Sequence, residues 1–135
     1  MPLWRLYYHV VWTTKYRQPL ITQTREPELY RYLRDKTNAL GCILHAVGGM
    51  EDHIHLVVSI PPKLAIADYV QQIKGGSSHF VNQLLPSEGL GFTWQAEYGV
   101  FSMGESQSPQ AIAYVKNQKQ HHTDGILISA LEPRS

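Results

Sequence analysis

The chain has 135 residues, 43% of them hydrophobic and 17% charged, with a formal net charge of +1 at pH 7. That length predicts a single domain over residues 1–135, long enough to bury a core and too short for two, and the composition excludes a disordered tail. No apolar run approaches the roughly 18 residues of a bilayer span, the lone Cys42 excludes a disulfide framework or a cysteine-based zinc knuckle, and near-neutral charge requires any nucleic-acid footprint to be local.

The opening stretch, MPLWRLYYHVVWTTKYR, lacks the charged, apolar, then small layout of a secretory signal, so a cytoplasmic location is expected. From Leu3 to Thr14 it is aromatic and β-branched and reads as a strand, with Leu6, Tyr8, Val10 and Trp12 on one face and Tyr7, His9, Val11 and Thr13 on the other. A helix follows over Thr24–Leu40: Leu29, Tyr32, Leu33 and Leu40 recur at helical spacing, Pro27 is tolerated in the first turn, and Gly41 fits the stop. Cys42 sits in the apolar run GCILHAV and reads as a small core residue.

Two strands come next, about Cys42–Val47 and His53–Ile60, joined by a GGMED turn and ended by Pro61-Pro62. Leu64–Leu85 reads as an amphipathic helix through Ile66, Tyr69, Val70, Ile73, Phe80, Val81 and Leu84. Gly75-Gly76 inside it costs roughly 1 kcal/mol per glycine relative to alanine, so a break or a close backbone approach is expected there. Phe92–Met103 reads as a strand, and a last helix starts near Ser108-Pro109 and runs to about His122. No pattern defines the tail from about 123. The order βαββαβα predicts an α+β fold of the ferredoxin-like or RRM-like kind, one antiparallel sheet with helices on one face and the other face open.

The densest chemical signal is EDHIHLVVSIPP. Residues two apart on a strand share a face, so His53, His55, Val57 and Ser59 point one way and Ile54, Leu56, Val58 and Ile60 the other. Two imidazoles at that spacing can chelate a divalent cation; by spacing alone they can equally be structural. On the last helix Tyr114, Gln118 and His121 lie along one stripe, with Ile112 and Val115 beside it to pack it down. Such a stripe is commonly a solvated face; opposite an open metal site it supplies a nucleophile, Tyr114, and an amide-oxygen ligand, Gln118.

Several stretches together carry a resemblance: YHVVWTTKYR, GGMEDHIHLVVSIPP, IKGGSSHFVN, WQAEYGVFSMG and YVKNQKQHH, in that order over about Tyr7–His122. The chain resembles the HUH-type single-tyrosine transposases of small bacterial insertion sequences, including their repeated-palindrome-associated relatives; HUH denotes the histidine, hydrophobic, histidine run, here His53-Ile54-His55. The resemblance implies metal ligation by His53, His55 and Gln118, with Tyr114 as nucleophile, and no departure occurs at these positions. It implies magnesium or manganese as the cation and an ATP-independent endonuclease that cuts and rejoins single-stranded DNA, at hairpin-bearing element ends, through a 5′-phosphotyrosine. It also implies a homodimer whose active sites are shared between subunits.

Further residues have two readings each. Lys15, Tyr16 and Arg17 could hold phosphate and stack on an unpaired base, or form an ordinary charged loop. Lys74 with Ser77 could offer donors to a phosphate, or line a packing notch; Lys116 and Lys119 could steady the scissile strand. Glu51-Asp52 could orient the metal histidines. His9 and His45 read as strand histidines with satisfied hydrogen bonds, and Trp94 and Phe101 as core. A histidine-triad nucleotide hydrolase would need a further histidine where Val57 stands, and a non-enzymatic nucleic-acid-binding domain would place aromatic residues where His53 and His55 stand.

Overall fold

The computed structural model describes residues 3–86 and 91–118. Its elements are β1 (Tyr7–Thr13), α1 (Arg25–Ala39), β2 (Ile43–Met50), β3 (His53–Ser59), α2 (Ile66–Leu84), β4 (Gly99–Met103) and α3 (Ser108–Lys116). The strands form one antiparallel sheet in the order β2-β3-β1-β4. Because β3 lies between β1 and β2, and β1 between β3 and β4, both helical crossovers are split βαβ units, the ferredoxin-like topology. Among the described residues no helix is long and apolar enough to cross a membrane.

Strand alternation decides which side chains meet the helices. Val10 and Trp12 of β1 and Ile54, Leu56 and Val58 of β3 join Leu29 and Leu33 of α1 and Tyr69, Val70 and Ile73 of α2 in one apolar cluster. Fully burying each aliphatic side chain there contributes about 1.5–3 kcal/mol. Of the polar groups beside it, Thr37 Oγ1 and Tyr69 Oη are 2.9 Å apart, and Arg25 Nη1 donates to the Leu20 carbonyl at 2.9 Å. Cys42 is buried, as its apolar surroundings require.

The structure corrects three strand boundaries and decides how α2 accommodates its glycine pair. β1 starts at Tyr7, where pairing with Met103 of β4 and, one residue on, Val58 of β3 begins. β2 runs on to Met50, and the hairpin turn shrinks to Glu51-Asp52. Gly48 and Gly49 are strand residues, because α3 and the neighbouring strand come too close for a side chain: a Cβ on Gly48 would lie 2.0 Å from the Val115 carbonyl oxygen, and one on Gly49 2.3 Å from that of His53. α2 passes unbroken through Gly75-Gly76, and a Cβ on Gly76 would meet the Tyr32 hydroxyl at 1.9 Å. The close approach there is by a side chain of α1, not by backbone. Only Gly99–Met103 of the expected last strand pairs continuously; Trp94 makes an isolated bridge to Thr14.

A larger correction concerns the face expected to stay open. α3 lies on it. Val115 packs against Ala46 of β2 and Val57 of β3, with Ala111, Ile112, Tyr114 and Met103 around them. The sheet therefore has α1 and α2 beneath and the short α3 above. Residues 119–135, which include Lys119, His121 and the expected end of the last helix, lie outside the described residues.

Candidate metal and tyrosine site

β3 projects His53 and His55 from the α3 side of the sheet, as its alternation dictates, and both are fully buried. Their ring centres are 5.1 Å apart and nearly perpendicular. Each ring is held through Nδ1. His53 Nδ1 lies 2.7 Å from Asp52 Oδ1, and Asp52 Oδ2 accepts from Arg17 Nε at 3.3 Å. His55 Nδ1 lies 2.8 Å from His9 Nε2. With Nδ1 engaged in both, Nε2 is the nitrogen through which each ring would coordinate a cation.

The hydrogen bond to His53 is the main cause that holds the Asp52 carboxyl below the ordinary range. Partial burial opposes it, and the charges of His53 and Arg17 reinforce it. Thus the hairpin turn that delivers β3 into the sheet also orients its first histidine, the part expected for Glu51-Asp52 falling to Asp52. Glu51 is exposed, and its carbonyl accepts from Ile21 N at 2.9 Å.

α3 brings the phenol. The Tyr114 ring centre is 5.9 Å from that of His55 and 6.3 Å from that of His9, edge-on to both. The convergence occurs within one chain. A cavity of about 330 Å³ opens beside it, lined by His9, Phe101, Met103, Gln107, Gln110 and Tyr114.

Gln118 follows the end of α3 and is 1% exposed. It borders a cleft with Gly48 and Gly49, on the β2 side of the histidines. Its Oε1 and Nε2 are both buried with no hydrogen-bond partner among the described residues. A buried amide left so costs about 1–3 kcal/mol unless something else satisfies it, and a coordinated cation would satisfy the oxygen. Among the described residues no group of three or more His, Cys, Asp and Glu is arranged to hold a metal. The groups here that could hold a cation are the imidazoles of His53 and His55 and the amide oxygen of Gln118.

The other expected site residues separate. Lys74 Nζ donates to the carbonyl oxygens of Gln95, Ala96 and Glu97 and pins the loop before β4, using all three ammonium donors. Its pKa is lowered by burial. Ser77 is buried, donating to the Lys74 carbonyl at 3.0 Å and accepting from Trp94 Nε1 at 2.9 Å. Arg17 is tied to Asp52. Lys15 stands 5.5 Å over the Tyr16 ring, and Tyr16 is 79% exposed. Tyr16 and Arg17 both hold positive φ, at 57° and 52°, a conformation that ordinary side chains adopt at a cost of about 1–3 kcal/mol and that gathers at ligand-binding sites. Lys116 is exposed at the end of α3.

His45 is satisfied as expected, its Nε2 2.8 Å from Ser59 Oγ. His9 is satisfied too, but by His55 itself. The alternation of β1 already placed His9 on the histidine face; strand register, absent from one strand's pattern, made it a neighbour. Trp94 packs on the core, whereas Phe101 is 41% exposed, because β4 is the sheet edge.

The family described as "Transposase IS200 like" matches residues 2–118. The chain belongs to that family, the IS200-like transposases. It is 31% identical over 120 residues to the ISDra2 transposase TnpA of Deinococcus radiodurans, covering 86% of each chain. To the transposase for insertion sequence element IS200 of Salmonella typhimurium it is 24% identical over 136 residues, covering 98% of this chain and 89% of the other. A crystal structure of a candidate Deinococcus radiodurans transposase superposes with a TM-score of 0.71 at 30% identity, over 87% of this chain and 93% of that one. A REP-associated tyrosine transposase bound to a REP hairpin shares the fold, with a TM-score of 0.65 at 12% identity over 90% and 74% of the two chains.

Proposed function

We propose that this transposase cuts and rejoins single-stranded DNA by transesterification, with Tyr114 as nucleophile and His53, His55 and Gln118 holding magnesium or manganese. The observation that carries the reading is the placement of the Tyr114 ring against His55, whose Nδ1 and that of His53 are both engaged by neighbours. The cation, when bound, supplies charge stabilisation at the non-bridging oxygens of the scissile phosphate.

The chain does the rest. Tyr114 Oη forms a bond to phosphorus as it sheds its proton, the P–O3′ bond breaks, and the departing oxygen takes up a proton as a 3′-hydroxyl. The 5′-phosphotyrosine conserves the energy of the phosphodiester, so a 3′-hydroxyl can reverse the step and reseal the strand without ATP. The packing of α3 over β2 and β3 holds the phenol near the metal ligands before substrate arrives, reducing the entropy lost on reaction.

The exposed Lys15 and Tyr16 form the DNA contact beside the histidines, one as a phosphate partner and one as a stacking platform; Lys116 serves the strand at the α3 end. The hairpin named in the structure of the REP-associated relative supports a hairpin-bearing substrate. Two element ends need two tyrosines, so the working form is a homodimer; the β4 edge, with Val100 and Phe101 exposed, offers it a strand-pairing surface. Sharing of sites between subunits rests on the family resemblance, whereas the arrangement described here closes within one chain.

The reading is tested with 5′-labelled single-stranded hairpins bearing flanking sequence, Mn²⁺, and denaturing gels. The unaltered protein gives a covalent protein–DNA band, and Tyr114→Phe binds the same DNA and gives none. An adduct that survives in Tyr114→Phe refutes the nucleophile assignment.

A further inference from the structure

We infer that His9 is a positioning residue that holds His55 in the tautomer and orientation required of a metal ligand; this deepens the reading above and rests on it. His9 projects from β1 and is 4% exposed. Its Nε2 is 2.8 Å from His55 Nδ1, and the two rings stack with centres 5.0 Å apart and planes inclined by 27°. Register brings this about. His9 lies opposite Val57 and Val11 opposite His55, so His9 is the diagonal neighbour of His55 on one face.

A hydrogen bond between two imidazole nitrogens has one protonated and one bare partner. A ring that gives its Nε2 lone pair to a cation carries its proton on Nδ1. His55 is then the donor and His9 Nε2 the acceptor, which places the proton of His9 on Nδ1. With that direction the contact holds the tautomer of His55 that exposes Nε2 to a cation and fixes the plane of that ring. His53 receives the same service from Asp52 Oδ1, at 2.7 Å. The two imidazoles are thus steadied from different parts of the chain, His53 by the turn that precedes it and His55 by β1. The same His9 ring also stands 6.3 Å from that of Tyr114 and lines the adjoining cavity. A variant must therefore keep volume if the hydrogen bond alone is to be tested.

Mn²⁺ binding to the full chain without DNA, followed by calorimetric titration, tests this independently of cleavage. His9→Phe keeps a ring but no nitrogen; His9→Gln places an amide oxygen near the former Nε2. Partners of metal ligands typically contribute 10–100-fold in affinity, so His9→Phe is expected to bind Mn²⁺ 10–100-fold more weakly and His9→Gln to return within about threefold of the parent. His9→Phe with parental affinity overturns the inference. So does His9→Gln as weak as His9→Phe, which would make the imidazole itself a ligand. In the unaltered, metal-free chain, imidazole ¹⁵N shifts should show His55 protonated on Nδ1; protonation on Nε2 overturns the inference even where His9→Phe does not fold. His53→Ala and His55→Ala separate the two levels. If neither weakens Mn²⁺ binding, the metal reading fails, whereas if both do and His9→Phe does not, only the role of His9 fails.

Discussion

Ile54, Leu56 and Val58 on one face of β3 and His53, His55 and Val57 on the other are all 0% exposed, yet they are buried on different terms. The first set enters a broad cluster shared by two long helices, where the area removed from water is itself the stabilising quantity. The second lies under a nine-residue helix whose apolar anchor is little more than Val115 on Ala46 and Val57. Burial there stabilises less and obliges each imidazole Nδ1 to find a partner, which Asp52 and His9 supply. One face of the strand holds the fold together; the other holds polar groups in fixed positions. A lightly anchored α3 is also the element that can yield to a substrate or to a second subunit, since local opening draws on regions with few apolar contacts.

Leu56→Ala should separate the faces most widely. Removing it from the two-helix core is expected to cost about 2–5 kcal/mol in chemical denaturation, while any protein still folded forms the covalent adduct normally. A loss below 1 kcal/mol would mean that this face is not the folding core.

Gly48→Ala probes the other face. The new Cβ would sit 2.0 Å from the Val115 carbonyl oxygen, so α3 must shift. Overpacking of this kind costs about 1–3 kcal/mol, concentrated in α3. Hydrogen exchange should show α3 amides losing protection while β1 and β3 keep theirs, and adduct formation should fall more than global stability accounts for. Unchanged exchange in α3 would show that the helix is not pressed onto β2.

Asp52→Asn is the smallest of the three. The folded carboxyl titrates below its ordinary value, so the stability it contributes is present above the unfolded pKa and is lost as pH falls through the folded one. At pH 7 the parent should exceed the variant by on the order of 1 kcal/mol, the scale of a partly exposed, charge-assisted hydrogen bond. Below the depressed pKa the two denaturation midpoints should converge. A gap that persists in acid would assign the effect to packing rather than to the carboxylate.

Much of this was legible in the chain because strand alternation and helical spacing are local. His53-Ile54-His55 declares two faces at once, and Ile112 with Val115 declares the part of α3 that packs down. Where a residue's partner lies far along the chain, local pattern offers two readings and cannot choose. Lys74 is such a case: three carbonyls from 95–97 satisfy it, and nothing near position 74 announces them. Arg17, drawn to Asp52 rather than left at the surface, is another. Gly48 and Gly49 looked like turn residues because turns favour glycine, whereas here it is the backbone of α3 and of β3 that leaves no room for a Cβ.

The amino-acid order by itself determined the seven elements, the apolar and histidine faces of β3, and the candidate site residues His53, His55, Tyr114 and Gln118, since each depends on residue type and short periodicity. Tertiary structure alone decided that α3 covers the histidine face, that His9 meets His55, and that Lys74 and Ser77 serve a loop. Those contacts join residues tens of positions apart, and their partners are chosen by sheet register and close packing, which no local pattern encodes.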